Sequence, residues 1–248
     1  MPDELSKRTN EKYMHECVES LGACGWWFSP CEWTQDAFDI ADCSSWVGFA
    51  DHWNHLLLDE YMRDGGTYRF RRYSAFEFDT EAGSFRLLPN APYEQSKSIN
   101  KLNGGFLRYF EPLERTFVEH PILDKILKGV GRIVSKTTGH RHWNVKLHPY
   151  RIVARGSVSG LPAPEGLHQD GVDFIVSYMI GRLNVVGGVN TVTDTGKQPI
   201  GTVEMMRPND FLVCDDRKTY HDVSPIVAEK RKKPFAYRDV LVLAFEKI

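Results

Sequence analysis

The chain has 248 residues, 42% hydrophobic and 26% charged, a globular proportion that supplies a sizeable core and excludes disordered, collagen-like and disulfide-scaffold classes. Lys+Arg 31 against Asp+Glu 33 leave a net charge of -2, so no bulk field draws the chain to nucleic acid or another polyanion. The N-terminal run from Met1 to Arg8 is charged where a secretory signal is apolar, and no apolar stretch approaches the ~18 residues of a membrane span; a soluble, cytoplasmic protein with no membrane partner is expected.

In chain order, apolar residues at three-and-four spacing predict helices over residues 11–21 and 49–62, the second through Phe49, Trp53, Leu56, Leu57 and Tyr61. The same period runs through Phe106, Phe110, Leu113 and Phe117, and then through Ile122, Ile126, Val130 and Ile133, with Pro121 suited to opening the later helix. Trp26, Trp27, Trp33 and Trp46 enrich the N-terminal segment in aromatics, expected to pack in a core, with a docking or homodimer surface as the alternative. Cys17, Cys24, Cys31, Cys43 and Cys214 are odd in number and lack the close pairing of zinc ligands, so free thiols are expected.

From Trp143 the period changes to short β-branched runs broken by Gly, Pro, Asn or Asp: 145–153, 174–180, 185–192, 201–206, 211–214 and 240–245. The intervals are too short for parallel crossovers, so the strands fold as an antiparallel sandwich or barrel. The expectation is α+β: a jelly-roll, cupin-like core beneath an N-terminal helical layer, with an immunoglobulin-like sandwich as the competing topology. Without repeats or linkers, the chain reads as one domain over 1–248, comprising a helical extension (1–60), mixed strands and supporting helices (61–142) and the jelly-roll core (143–248).

The chemistry-bearing stretch is Gly166-Leu167-His168-Gln169-Asp170-Gly171-Val172-Asp173-Phe174-Ile175. In an extended segment His168 and Asp170 leave the same face, so an imidazole and a carboxylate converge on one cation. His221 follows four more strands and can be brought back by a folded sheet. Two His and one carboxylate on one face of an octahedron leave three positions open, the arrangement of non-haem Fe(II) oxygenases. A co-substrate carboxylate then needs a guanidinium, and Arg238, opening the last strand, meets that need better than Arg231 in the basic run 229–233. His-x-Asp alone is a weak motif; the ordered set gives it weight.

At these positions the sequence resembles the Fe(II)/2-oxoglutarate-dependent dioxygenases that hydroxylate free aliphatic amino acids, the L-isoleucine 4-hydroxylase-like family. The segments that carry the resemblance are 71–74 (Arg-Arg-Tyr-Ser), 88–92 (Leu-Pro-Asn-Ala-Pro), 164–175 and 237–243. It implies a double-stranded β-helix, with His168, Asp170 and His221 as iron ligands and Arg238 as the 2-oxoglutarate anchor. It further implies Fe(II), with 2-oxoglutarate and O2 as co-substrates and ascorbate as an aid in vitro, and oxidation of an unactivated C–H bond in a Val-, Ile- or Leu-like L-amino acid to give succinate and CO2.

A free amino acid also needs a cation for its carboxylate and an acceptor for its ammonium. Arg151, His148 and Arg72 are the cationic candidates, and Asp173 is the acceptor or a residue that orients a ligand histidine. Each competes with a plainer role: a strand-face arginine paired with a carboxylate, or an aspartate capping a turn beside Gly171. In the run Tyr68 to Tyr73, Arg69 and Arg71 share one strand face while Phe70 and Arg72 share the other, one face lining the pocket. Ring closure or desaturation instead of hydroxylation, a peptide side chain as substrate, and a non-oxygenase metal-binding jelly roll are the alternatives carried forward.

Overall fold

The computed structural model describes residues 4–40, 43–100, 102–229 and 235–248; the expectation for Arg231 lies outside the described residues. Among the described residues there are five α-helices: α1 (Glu4–Ala23), α2 (Cys31–Ala37), α3 (Cys43–Asp51), α4 (Arg115–Val118) and α5 (Pro121–Thr138). The strands are β1 (Trp26–Ser29), β2 (Leu57–Leu58), β3 (Arg69–Arg71), β4 (Ser74–Asp79), β5 (Ser84–Leu87), β6 (His142–Arg155), β7 (Phe174–Leu183), β8 (Val185–Gly187), β9 (Val189–Thr193), β10 (Pro199–Glu204), β11 (Phe211–Asp215), β12 (Tyr220–Val223), β13 (Ile226–Ala228) and β14 (Phe235–Lys247).

The large sheet runs β1-β11-β7-β14-β6-β3-β2, with β4 also on β6 and β5 on β4, and every pairing is antiparallel. Opposite it lie the small sheets β10-β9-β12 and β13-β8. Buried Ile175, Met179, Leu212 and Val240 of the large sheet pack with Val192 of β9 and with Met205 just beyond β10, so the two layers close face to face. Ile152 and Ala236 likewise meet Ile226 of β13. This is the jelly-roll core within an α+β architecture that the strand pattern predicted.

Strand alternation sorts the side chains. Odd positions 241, 243 and 245 of β14, with Phe174, Val176 and Tyr178 of β7 and Val145 and Leu147 of β6, pack under the helices. Even positions 238, 240, 242 and 244 of β14, with His148, Tyr150 and Ile152 of β6, face the interior of the roll. Helix α5 covers the outer face through Ile122, Leu123, Ile126, Leu127, Val130, Ile133 and Val134, all buried. Its start is set by Pro121 and by His120, whose Nδ1 accepts from the Ile122 amide at 3.2 Å; its end is Gly139 in the left-handed region. Gly129 and Gly131 inside it let the Phe38 and Phe78 rings approach so closely that an added Cβ would sit 2.5 and 2.2 Å from ring atoms.

Two helix expectations are corrected. The pattern over 49–62 ends its α-helix at Asp51, continues as a 3-10 turn over His52–His55 and becomes extended at Leu57, which pairs with Arg71. Residues 106–113 form no helix: Arg108 exchanges backbone bonds with Tyr93 in an isolated bridge, and Pro112 removes a helical donor and disfavours a helix at Glu111. The apolar period there serves separate contacts, Phe106 and Phe110 on Tyr61, Leu113 and Phe117 in the main core. The single strand expected over 185–192 is also two, broken at Gly187 and Gly188, both at positive φ. Trp33 is buried, and Trp26, Trp27 and Trp46 are partly buried against the cores, as a packing role requires. Among the described residues no helix is long and apolar enough to cross a membrane, and Cys17, Cys24, Cys31 and Cys214 are free thiols.

Candidate metal and co-substrate site

His168 and His221 come together because the segment before β7 and strand β12 form an isolated antiparallel bridge, with backbone bonds of 3.0 and 2.9 Å exchanged between these two residues. Their rings lie 4.4 Å apart, and Asp170 Oδ2 is 3.2 Å from His221 Nε2 and 4.0 Å from His168 Nε2. One ligand atom from each of the three residues lies within 4.8 Å of the others. Two cis ligands each about 2.1 Å from an ion are about 3 Å apart, so an ion enters this triangle with little rearrangement. His168 Nδ1 lies 2.7 Å from the Gly166 carbonyl, which fixes the proton there and leaves Nε2 as the donor to a metal. Burial opposes the Asp170 charge, but His221, His168 and Gln95 outweigh it and hold that carboxyl at about 2.

A layer of polar groups locks the segment that carries Asp170. Asp216 accepts from the amides of Asp170, Gly171 and Val172 at 3.0, 2.7 and 3.1 Å. Gln169 Nε2 donates to the carbonyls of Asp216 and, at 3.1 Å, Thr219. From the other side Gln95 Nε2 reaches the Asp170 carbonyl at 3.3 Å and Oδ1 at 3.4 Å, while Gln95 Oε1 accepts from Arg108 Nη2 at 3.0 Å and Asn100 Nδ2 at 3.1 Å.

The triad opens on a cavity of about 100 Å³ inside the roll, small beside the ~300–1,000 Å³ of drug-sized sites. Arg238 lines it, 2% exposed, with Nε and Nη2 making no hydrogen bond among the described residues. Burial, with Arg182 near it, lowers this guanidinium to about 10. A buried cation with unused donors is costly unless an anion completes it, which is the property a bidentate carboxylate anchor requires. Gly188 makes room beside it: a Cβ there would lie 3.1 Å from Arg238 Cδ.

The structure separates the remaining candidates. His148 lines the cavity, stacked on Tyr73 and hydrogen-bonded through Nδ1 to Arg71; burial and Arg71 hold it well below its ordinary value, so it is neutral. Arg151 is a correction: strand parity turns it to the outer face, where it grips Asp239 with bonds of 2.8 and 2.7 Å and Asn54 at 2.9 Å. Arg72 is another, spent on the carbonyls of His55 and Pro112 and on Glu114. Asp173 faces a neighbouring cleft, pairs with Arg217 at 3.0 Å and caps the Lys247 amide, so it neither touches the cavity nor orients a ligand histidine. Arg69, Arg71 and Arg108 line the cavity instead. The face shared by Arg69 and Arg71 was visible in the alternation of β3, but Arg108, Gln95 and Asp216 carried no local signal.

A jelly roll with two histidines and one carboxylate at the mouth of an arginine-anchored cavity defines the class of mononuclear non-haem iron oxygenases. The sequence profile of the 2OG-Fe dioxygenase family matches residues 50–244, and the chain belongs to that family. It is thus an Fe(II)- and 2-oxoglutarate-dependent oxidoreductase that uses O2. It is 25% identical over 204 residues to L-isoleucine-4-hydroxylase from Bacillus thuringiensis, covering 77% of this chain and 84% of that one. Among solved structures it is similar to a bsmA homolog from Methylobium petroleophilum PM1, with a TM-score of 0.85 at 28% identity over 94% of this chain and 93% of that one. It shares its fold with IDO from Bacillus thuringiensis, with a TM-score of 0.78 at 20% identity over 95% and 99% of the two chains.

Proposed function

We propose that this protein oxidises an unactivated C–H bond of a free aliphatic L-amino acid of the Val, Ile or Leu type, as one cytoplasmic catalytic unit. The observation that carries the reading is the convergence, in one small cavity, of the His168, Asp170 and His221 side chains with an Arg238 guanidinium whose Nε and Nη2 have no hydrogen-bond partner among the described residues. The likeness to an L-isoleucine-4-hydroxylase supports the substrate class, and the free thiols of the described cysteines support a reducing compartment.

In this reading His168, Asp170 and His221 hold Fe(II), and Arg238 binds the distal carboxylate of 2-oxoglutarate. Iron, 2-oxoglutarate and O2 together supply oxidative decarboxylation to succinate and CO2 coupled to C–H oxidation. The chain's own contribution is placement. The Gly166 carbonyl fixes the His168 tautomer, Asp216 fixes the backbone that presents Asp170, and Ile175, Val223, Val240 and Val242 keep part of the wall dry. Holding one C–H bond of the substrate against the metal decides which carbon is oxidised.

The test is succinate formation from 2-oxoglutarate with Fe(II), ascorbate and air, run with each proteinogenic L-amino acid singly and with mass spectrometry of the product. Stimulation by Val, Ile or Leu with a gain of one oxygen atom supports hydroxylation. Loss of two hydrogens assigns ring closure or desaturation. Stimulation by no free amino acid overturns the reading.

A further inference from the structure

Two guanidiniums in the cavity, Arg108 and Arg238, form no ion pair among the described residues, and a third, Arg71, shares its carboxylate with Arg69. Arg69 is neutralised by Asp59 at 2.8 Å, but Asp59 comes only within 3.8 Å of Arg71, and no ion pair forms on Arg108 or Arg238. Arg238 is accounted for by one end of 2-oxoglutarate in the proposed function. Arg71 and Arg108 are left over, 2% and 1% exposed, each with its Nε unbonded.

These two are neighbours. Both lie over the Phe110 ring, at 3.7 and 6.0 Å, and over the Tyr93 ring, at 5.5 and 4.7 Å. Aromatic faces offset part of a buried positive charge, though less than a carboxylate would. Two like charges packed side by side, with only Asp59, already shared with Arg69, in ion-pair reach of one of them, destabilise each other, and burial together with Arg71 lowers Arg108. Such an arrangement persists where an anion completes it.

Its position is also defined. Arg108 donates to Gln95, and Gln95 donates to Asp170, so the pair sits two hydrogen bonds from a proposed iron ligand. On the large sheet Arg71 lies opposite Tyr150, and Arg238 opposite Ile152 one pleat further along, so the two anion seats are separate.

We propose that Arg71 and Arg108 together form the seat of the substrate's α-carboxylate, a second anion site distinct from the 2-oxoglutarate anchor. This deepens the amino-acid reading above and rests on it for the identity of the substrate. The carboxylate bridges the two guanidiniums through donors now unused, and its α-carbon is thereby delivered toward Asp170 and the metal.

The experiment is anaerobic calorimetric titration of the enzyme loaded with Fe(II) and 2-oxoglutarate, using L-isoleucine and 3-methylbutanoate, an aliphatic carboxylate without an ammonium group, as probes. Wild type is expected to bind both. Arg71→Gln and Arg108→Gln are expected to weaken both by about 10- to 100-fold, as loss of charge-assisted hydrogen bonds implies, with 2-oxoglutarate affinity unchanged within about twofold. Arg108→Lys, which keeps the charge, is the second variant and should fall between, with thermal melting following the fold of each protein. Unchanged probe affinity in both Gln variants, a loss confined to 2-oxoglutarate, or no binding of either probe to wild type overturns the seat. If 3-methylbutanoate binds in an Arg108-dependent way while no amino acid is oxidised, the seat stands and the amino-acid reading falls.

Discussion

Asp216 holds Asp170 by its backbone: the Asp216 carboxylate takes three consecutive amide hydrogens beginning with that of Asp170 itself. The turn that presents the carboxylate is therefore built around a buried negative charge supplied 46 residues later. Asp216→Asn keeps the shape but turns one acceptor oxygen into a donor facing an amide. Iron affinity is expected to drop about 10- to 100-fold, measured by Fe(II) titration under anaerobic conditions, with the fold retained. Unaltered affinity would show that the turn is rigid without Asp216.

His168→Ala removes the proposed iron ligand whose tautomer the Gly166 carbonyl sets. Fe(II)-dependent succinate formation is expected to fall below detection, and stoichiometric iron binding should be lost with it. Retained turnover would remove His168 from the metal assignment.

Arg238→Gln is expected to raise the Michaelis constant for 2-oxoglutarate about 10- to 100-fold and to leave Fe(II) binding in its absence intact, since the substitution removes charge-assisted bonds to the distal carboxylate only. Steady-state kinetics at varied 2-oxoglutarate decide it, and an unchanged constant refutes the anchor.

Arg151 offers the contrasting case. Its partner Asp239 is buried, and breaking such a pair by removing one member costs about 3 kcal/mol or more. Arg151→Met should lower the denaturation midpoint by a corresponding amount while the Michaelis constants for 2-oxoglutarate and substrate stay at wild-type values. A kinetic effect without a stability effect would return Arg151 to the cavity.

His148 sets a pH dependence. Its folded value lies well below 6.5 because burial and Arg71 oppose protonation, so the unfolded chain binds a proton that the folded one refuses. Its contribution to stability is complete above pH 6.5 and is lost as pH falls below that value, by up to about 1.4 kcal/mol per pH unit. Chemical denaturation between pH 7 and pH 5 should show a shallower slope for His148→Gln than for wild type.

The convergence of His168, Asp170 and His221, and the place of Arg238 in the same cavity, were legible in the sequence because each is tied to a strand pattern. His168 and Asp170 share one face at a spacing of two, His221 lies in a later strand, and Arg238 begins a long run of period two. Arg151 misled because two-residue alternation assigns a face only relative to neighbours. Nothing local says that His148, Tyr150 and Ile152 face inward while Arg151 faces out; the pairing of Asp239 with Arg151 decides it. Gln95, Arg108 and Asp216 were invisible because each acts through a partner 13 to 75 residues away, in segments of irregular backbone. The helix read through Phe106, Phe110, Leu113 and Phe117 failed at Pro112, where the backbone cannot follow the apolar period, and only Arg115–Val118 is helical.

The adjacency of Arg238 and Asp239 has a consequence for assembly of the roll. A slip of β14 by one residue against β6 would turn every side chain through the sheet, sending Asp239 into the cavity and Arg238 outward. In the slip that sets Arg238 opposite Arg151, two cations would confront each other on the outer face, and the bonds between Arg151 and Asp239 would be lost. The outer ion pair thus favours the native register of β14 over that slip, from the face of the sheet opposite the cavity.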